Sequence, residues 1–294
     1  MVYTPSSTYR VQLSSKFTLR DLKNIIPYLR DLGVSTIYAA PFFTARPGSE
    51  HGYDVTDPHQ INPEVGTMEE LQEIAGELKA HGMGWLQDIV PNHMAFHPNN
   101  AWLMDVLEKG QKSRYYSFFD VNFSHPDFKG QLMVPFLGEP LDEVIRQGQL
   151  KATFEEHGFR LSYFDNVYPI SIDSYTFLLE RAAEKLSSDD DNTMLAEQVQ
   201  KLEQLMAHDR LEPNDWDQAK QALYQLAHDQ PELQQGIADV LQGINDDSTA
   251  MQELLGQQYY ILSHWQETEK QINYRRFFTV NDLICTAMER EEVF

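Results

Sequence analysis

The stretch WLQDIVPNHMAF (85–96) leaves an apolar segment and sets Asp88, Asn92 and His93 close together. A second stretch, HGYDVTDP (51–58), brings His51, Tyr53, Asp54 and Asp57 side by side. Carboxylates and imidazoles can move protons or fix hydroxyls, and a phenol adds a flat apolar face with a polar tip. Each residue also has a plain structural reading. Asp88 lies within a strand and reads equally as a buried carboxylate held by an arginine and backbone amides. His93, at a strand exit, reads as structural, Tyr53 and Trp85 as packing, and Asp57 before Pro58 as a turn formula.

The donors His51, Asp54, His59, His93 and His97 admit a metal in principle. Their spacing argues against one, because no HExxH or HxH pair occurs and no recognisable ligand set emerges. No GxSxG elbow and no glycine-rich phosphate loop is present, so serine-nucleophile and nucleotide chemistry lack their usual frames. No cofactor is expected.

The elements that must position these residues follow from periodicity. YRVQL is a first strand. Thr18 can cap a helix whose Leu22, Ile25, Ile26, Leu29 and Leu32 share a face and which ends at Gly33. VSTIYAAPFF is a second strand. Thr67 and Glu70 form a capping box for a helix that carries Leu71, Ile74, Ala75 and Leu78 and ends at Gly82. GWLQDIV is the third strand. The order βαβαβ predicts parallel strands with right-handed crossovers, in a barrel or a doubly wound sheet. In both, sites gather at the carboxyl ends of the strands, where Asp88, Asn92 and His93 emerge and the loop bearing His51, Tyr53 and Asp54 begins. That loop, PFFTARPGSEHGYDVTDPHQINPEVG, far exceeds the ~2–6 residues usual between strand and helix, and loops of that length are commonly functional.

The chain divides by composition into residues 1–98, with the three strands and their helices; 99–174, an inserted α+β subdomain rich in aromatics, Gly and Pro; 175–265, an acidic helical segment interrupted by SSDDDNT and by Pro213 and Pro231; and 266–294, a return toward the first part. At 294 residues and 41% hydrophobic content a sizeable core is available. The formal net charge of -22 disfavours nucleic acid and anionic membrane surfaces as partners. The single Cys285 excludes an intrachain disulfide framework and fits a reducing compartment. The start MVYTPSSTYRVQL has no signal-peptide pattern and no apolar run approaches ~20 residues, so a cytoplasmic protein is expected.

Taken together, HGYDVTDP, the helix after it and DIVPNH resemble the α-amylase-like glycoside hydrolases and transglycosylases. The resemblance implies a TIM (β/α)8 barrel, of which these would be the N-terminal βα units. It assigns Tyr53 to stacking on the sugar at the cleavage site, His93 to hydrogen bonding with it, and Asp54 to the sugar's hydroxyls, with His51 beside them among the substrate-binding residues. Asp88 becomes a buried, site-organising carboxylate, and Asn92 a loop brace that in many members helps bind calcium. STYRVQL, PFFTARPGSEHGYDV, DIVPNHMAF, VLEKGQKSRYYSFFDVNF, VPFLGEPL and INYRRFF together look like the maltooligosyl trehalose synthase branch. Near the end, Thr279 and Cys285 depart from that pattern. The branch implies intramolecular transglucosylation of a maltooligosaccharide, turning its reducing-end α-1,4 linkage into α,α-1,1. Aromatic platforms with directional acids, amides and imidazoles suit sugar faces and hydroxyls, and a negative protein tolerates a neutral glucan.

Retaining chemistry on this plan needs two carboxyl groups about 5–5.5 Å apart. In the family the nucleophilic Asp follows an Arg by two residues at the fourth strand, and the acid/base Glu comes from the fifth. The nearest match, GFRLSYFD (158–165), has Ser162 in the nucleophile's place and is read as a decoy. A whole barrel takes about 250 residues without such insertions, so the catalytic pair is expected beyond Phe294 and the barrel is expected to be incomplete in this chain. Its open sheet edge would then be covered by a C-terminal portion or a partner. Two other readings stay open: a non-catalytic glucan-binding or assembly protein, and an ordinary α-amylase-type hydrolase.

Overall fold

The computed structural model describes residues 4–186 and 189–293. Ser187 and Ser188 of the SSDDDNT interruption, and Phe294, lie outside them. The chain forms two compact units: one runs to Ala101 and resumes at Arg276, and the other is Trp102–Arg275.

The first unit contains strand β1 (Thr8–Val11), helix α1 (Leu19–Asp31), β2 (Thr36–Ala39), β3 (Phe43–Ala45), β4 (Val55–Ile61), α2 (Met68–Ala80), β5 (Gly84–Gln87) and β6 (His93–Ala95). Strands β1, β2 and β5 pair in parallel in that order, with Arg10, Tyr38 and Leu86 in register. The βαβαβ expectation is met. Among the described residues these three strands do not close into a barrel, and β1 and β5 each keep one unpaired edge.

Both helices start where their sequences say. Thr18 and Asp21 form one reciprocal capping box and Thr67 and Glu70 another, each satisfying two backbone donors that a helix end leaves free. Leu19, Leu22, Ile26 and Leu29 are fully buried with Ile37, Ile74 and Leu78 against one face of the sheet. Each such side chain stabilises the fold by ~1.5–3 kcal/mol. The apolar stripe ends sooner than periodicity implied. Leu32 is exposed because it is the C-cap of α1, past the last full turn, and Ala75 is exposed on α2 between the buried Ile74 and Leu78, at the margin of the apolar face. The opposite sheet face carries Arg10, Tyr38 and Leu86, and Leu86 is 49% exposed.

The second unit contains α3 (Ala101–Lys109), β7 (Leu132–Leu137), α4 (Leu141–Arg146), β8 (Leu150–Glu155), β9 (Gly158–Tyr163), β10 (Asn166–Pro169), α5 (Asp173–Ala183), α6 (Asp189–Met206), α7 (Pro213–Asp229), α8 (Pro231–Asp246), α9 (Ser248–Gly256) and β11 (Tyr260–His264). Strands β8, β9 and β10 form an antiparallel meander, while β7 and β11 pair in parallel. The Asn245 side chain of α8 binds both the N–H and the C=O of Ala152 in β8, at 2.7 and 3.0 Å. Phe159, Tyr175 and Trp216 stack edge to face at the centre, with centroids 5.0 and 5.1 Å apart. Beside them Lys220 pairs with Glu108 at 3.0 Å, both nearly buried, and the Tyr175 hydroxyl accepts from the Phe159 N–H at 3.1 Å while donating to Glu108 at 3.5 Å. Within the first unit, β12 (Leu283–Cys285) returns and pairs antiparallel with β6.

Candidate active-site face

The long loop after β2 is a folded object. β3 and β4 form an antiparallel hairpin, and HGYD occupies its tip. Gly52 has φ +73, and a Cβ there would lie 2.4 Å from the Pro41 carbonyl oxygen, so glycine is what lets the tip fold back onto the strand end. The Gly52 N–H donates to Ser49 Oγ, whose hydroxyl bonds Asp54, and the Tyr53 N–H donates to His51 Nδ1 at 3.0 Å. The Asp54 side chain is 13% exposed and His51 Nδ1 lies 3.7 Å from its Oδ1, an approach that strengthens only when the imidazole is protonated.

This tip sits at the carboxyl end of the parallel sheet. The Tyr53 hydroxyl donates to Asp88 Oδ2 at 2.6 Å, and the Tyr38 hydroxyl reaches the same oxygen at 3.3 Å. Arg10 donates to the Tyr53 oxygen at 3.2 Å. The phenol is therefore suspended between a carboxylate and a guanidinium. The bond to Asp88 and partial burial push the Tyr53 phenol above its ordinary value, while Arg10 opposes them.

His93 is 2% exposed. Its Nε2 lies 3.1 Å from the Tyr53 carbonyl oxygen and its ring stacks on Phe277 at 4.2 Å. The Nδ1 atom is buried without a hydrogen-bond partner among the described residues. Burial holds this imidazole below its usual range, against the pull of the Tyr53 carbonyl and Asp54. Asn92 is exposed; its backbone oxygen accepts from the Thr286 N–H at 3.2 Å, and Thr286 Oγ1 donates to the Pro91 carbonyl at 2.6 Å. Asn92 is the residue the family resemblance associates with calcium; among the described residues no group of three or more His, Cys, Asp or Glu side chains gathers that could hold a metal.

Tyr53, Asp54, His51, Asp88 and His93 are thus brought to one edge of the unit, with Asn92 on the adjoining turn. His59 and Asp57 pair with each other on β4, and His97 lies past β6, its pKa lowered by burial and by Arg46. The decoy stretch is the antiparallel β9, which ends at Tyr163. Residues passed over in the sequence are Arg10, Gln12, Tyr38, Ser49 and Phe277. For two of them a signal existed, since Arg10 and Gln12 alternate along YRVQL and period 2 puts them on one side of β1.

The arrangement offers a partly exposed phenol ring, a carboxylate, an imidazole and a guanidinium around an open strand edge. Such groups can grip a hydroxylated ring by its face and its rim. Among the described residues no helix is long and apolar enough to cross a membrane.

Known proteins resemble the chain in sequence and in fold. A Mycobacterium tuberculosis protein provisionally named maltooligosyl trehalose synthase is 42% identical over 165 residues, spanning 51% of this chain and 21% of its own length. A cyclomaltodextrinase of Thermoanaerobacter pseudethanolicus is 34% identical over 104 residues, 34% of this chain and 17% of that protein. Among solved structures, the maltooligosyltrehalose synthase of Arthrobacter ramosus superposes with a TM-score of 0.66 at 28% identity, over 99% of this chain and 28% of that one. A structure titled "DSM5389 glycosyltrehalose synthase" gives 0.65 at 32% identity, over 98% of this chain and 30% of that one. The chain thus spans about a fifth of that first curated relative and under a third of these structures. The model of the alpha-amylase catalytic domain matches residues 9–161, just over half of the sequence, and the chain belongs to the α-amylase family.

Proposed function

We propose that this chain is the glucan-gripping part of a trehalose-forming enzyme system, taking a maltooligosaccharide whose reducing-end α-1,4 linkage is rearranged to α,α-1,1. One observation carries the reading: Tyr53 is held by its hydroxyl on Asp88 at the carboxyl end of a parallel sheet, leaving its ring available as a platform. His51 and Asp54 then meet sugar hydroxyls, Asp88 organises the site and Asn92 braces the loop. His93 reaches sugar only once the Phe277 ring moves aside, because that ring covers it at 4.2 Å. The likeness to maltooligosyl trehalose synthases supports the substrate class.

Residues 1–294 do not supply the catalytic carboxylate pair in this proposal. Asp88 is engaged by two tyrosine hydroxyls, and Ser162 stands in an antiparallel strand. Further strands, from a longer polypeptide or a partner, pair with the open edges of β1 and β5, where Tyr9 and Leu86 are 43% and 49% exposed. A cytoplasmic setting goes with this reading. The same observations favour a second one, glucan binding without turnover. Purified protein incubated with maltopentaose and resolved by chromatography tests what both readings share: no trehalose-terminated product is expected from the chain alone, and its appearance refutes the assignment of the carboxylate pair elsewhere. Release of reducing sugar instead selects an ordinary hydrolase.

A further inference from the structure

We propose that Arg10 on β1 and Gln12 just past its end are positioning residues that set the orientation of the Tyr53 platform, Arg10 through the phenol oxygen and Gln12 through the backbone of the hairpin tip. The proposal deepens the sugar-site reading and rests on it for its binding consequence.

Strand β1 and the residue that follows it reach the tip at two separate points. The Arg10 guanidinium donates to Tyr53 Oη at 3.2 Å through one nitrogen and to Gln12 Oε1 at 3.2 Å through the other. The Gln12 amide in turn donates to the Glu50 carbonyl at 3.2 Å and the His51 carbonyl at 3.4 Å. The guanidinium is also placed 5.6 Å from the centroid of Tyr38, whose hydroxyl shares Asp88 with Tyr53. A rigid planar fork spanning two acceptors fixes direction in a way that an ammonium on a flexible stem does not. The phenol oxygen thus accepts from Arg10 while donating to Asp88, and a group held from both sides cannot rotate its hydroxyl freely. Arg10 is exposed, and so is Gln12, so neither carries the core and their replacement leaves the fold standing.

Arg10 also opposes the effect of Asp88 on the Tyr53 phenol. That supplies a readout that simple structural support leaves untouched. In protein carrying 13Cζ-tyrosine, with the Tyr53 resonance assigned from Tyr53→Phe, Arg10→Ala is expected to shift that resonance at neutral pH and to move the Tyr53 ionisation to higher pH. Arg10→Lys restores the effect only in part. In parallel, maltopentaose titration by calorimetry is expected to show affinity about fivefold to tenfold weaker for Arg10→Ala, the scale of one charge-assisted hydrogen bond discounted for exposure. Gln12→Ala weakens binding and moves the Tyr53 ionisation less than Arg10→Ala does, because the guanidinium loses one of its two acceptors but keeps the phenol. A Tyr53 resonance unchanged in Arg10→Ala overturns the proposal, even if the melting temperature falls. Wild-type protein that ignores maltopentaose while the resonance does respond refutes the sugar-site reading and leaves the Arg10–Tyr53 coupling standing. Should the high-pH titration be cut short by unfolding, the neutral-pH shift decides alone.

Discussion

Replacing Tyr53 by Phe and by Ala separates the two jobs of the phenol, and the structure gives each a magnitude. The hydroxyl donates to Asp88 at 2.6 Å, a charge-assisted bond of a kind whose net worth is about 1.5–3 kcal/mol when buried. Here both partners are partly exposed, Tyr38 still reaches Asp88 at 3.3 Å, and water can replace the lost donor. Tyr53→Phe should therefore cost about 1 kcal/mol of stability, or a fall of about 2–4 °C in melting temperature. Its ring survives but both anchors of the ring are gone, so affinity for maltopentaose should fall about fivefold to tenfold, as in Arg10→Ala. Tyr53→Ala removes the platform itself, and losing about 2 kcal/mol of aromatic contact weakens binding about thirtyfold. Differential scanning calorimetry and isothermal titration of the three proteins read both effects. If Phe loses as much affinity as Ala, the sugar is held by the hydroxyl and the stacking argument fails. If neither substitution changes affinity, the sugar does not sit at Tyr53.

Four further outcomes follow from the geometry. Because burial keeps folded His93 below its ordinary range, the unfolded chain takes up a proton that the folded one refuses; the stability this contributes is present above the unfolded value of about 6.5 and is lost as pH falls from there through the folded value. Urea midpoints between pH 8 and 5 should fall less steeply in His93→Gln, with a residual slope from His97, which is lowered in the same direction. Lys220→Met strands Glu108 in a nearly buried site and should destabilise the second unit by about 3–5 kcal/mol, while adding Glu108→Leu recovers much of it in chemical denaturation. Thr18→Ala breaks the capping box of α1 and should cost about 1 kcal/mol, again read by denaturation. Gly52→Ala forces a Cβ into the Pro41 carbonyl and should displace the hairpin tip, seen as loss of maltopentaose binding with helix content by circular dichroism unchanged.

Local physics made much of the first unit legible. Capping boxes, a 3.6 period and β-branched runs are written within a few residues of one another, so the three parallel strands and two helices could be placed, and the strand-end rule brought Asp88 and HGYD to one face. The hairpin inside the long loop was not visible, because β3 and β4 are short and their pairing has register shifts that blur any alternation. The Phe277–His93 stack was hidden for another reason: it joins residues far apart in sequence through the return strand β12, and no periodicity encodes such a partner. Nothing local in the sequence marks Asp105, Glu108 and Lys109 of α3 as buried charges. Glu108 finds Lys220 from α7, and Asp105 holds Lys109 and Ser113. Arg10 was legible only as an alternating strand residue, since its chemistry depends on where the hairpin tip lands.

Titration of maltopentaose into the 294-residue protein, with Tyr53→Ala as its control, tests the central claim most directly. The account predicts saturable one-site binding by the wild-type chain that weakens about thirtyfold in the variant. Absence of wild-type binding, or equal binding by both proteins, contradicts it.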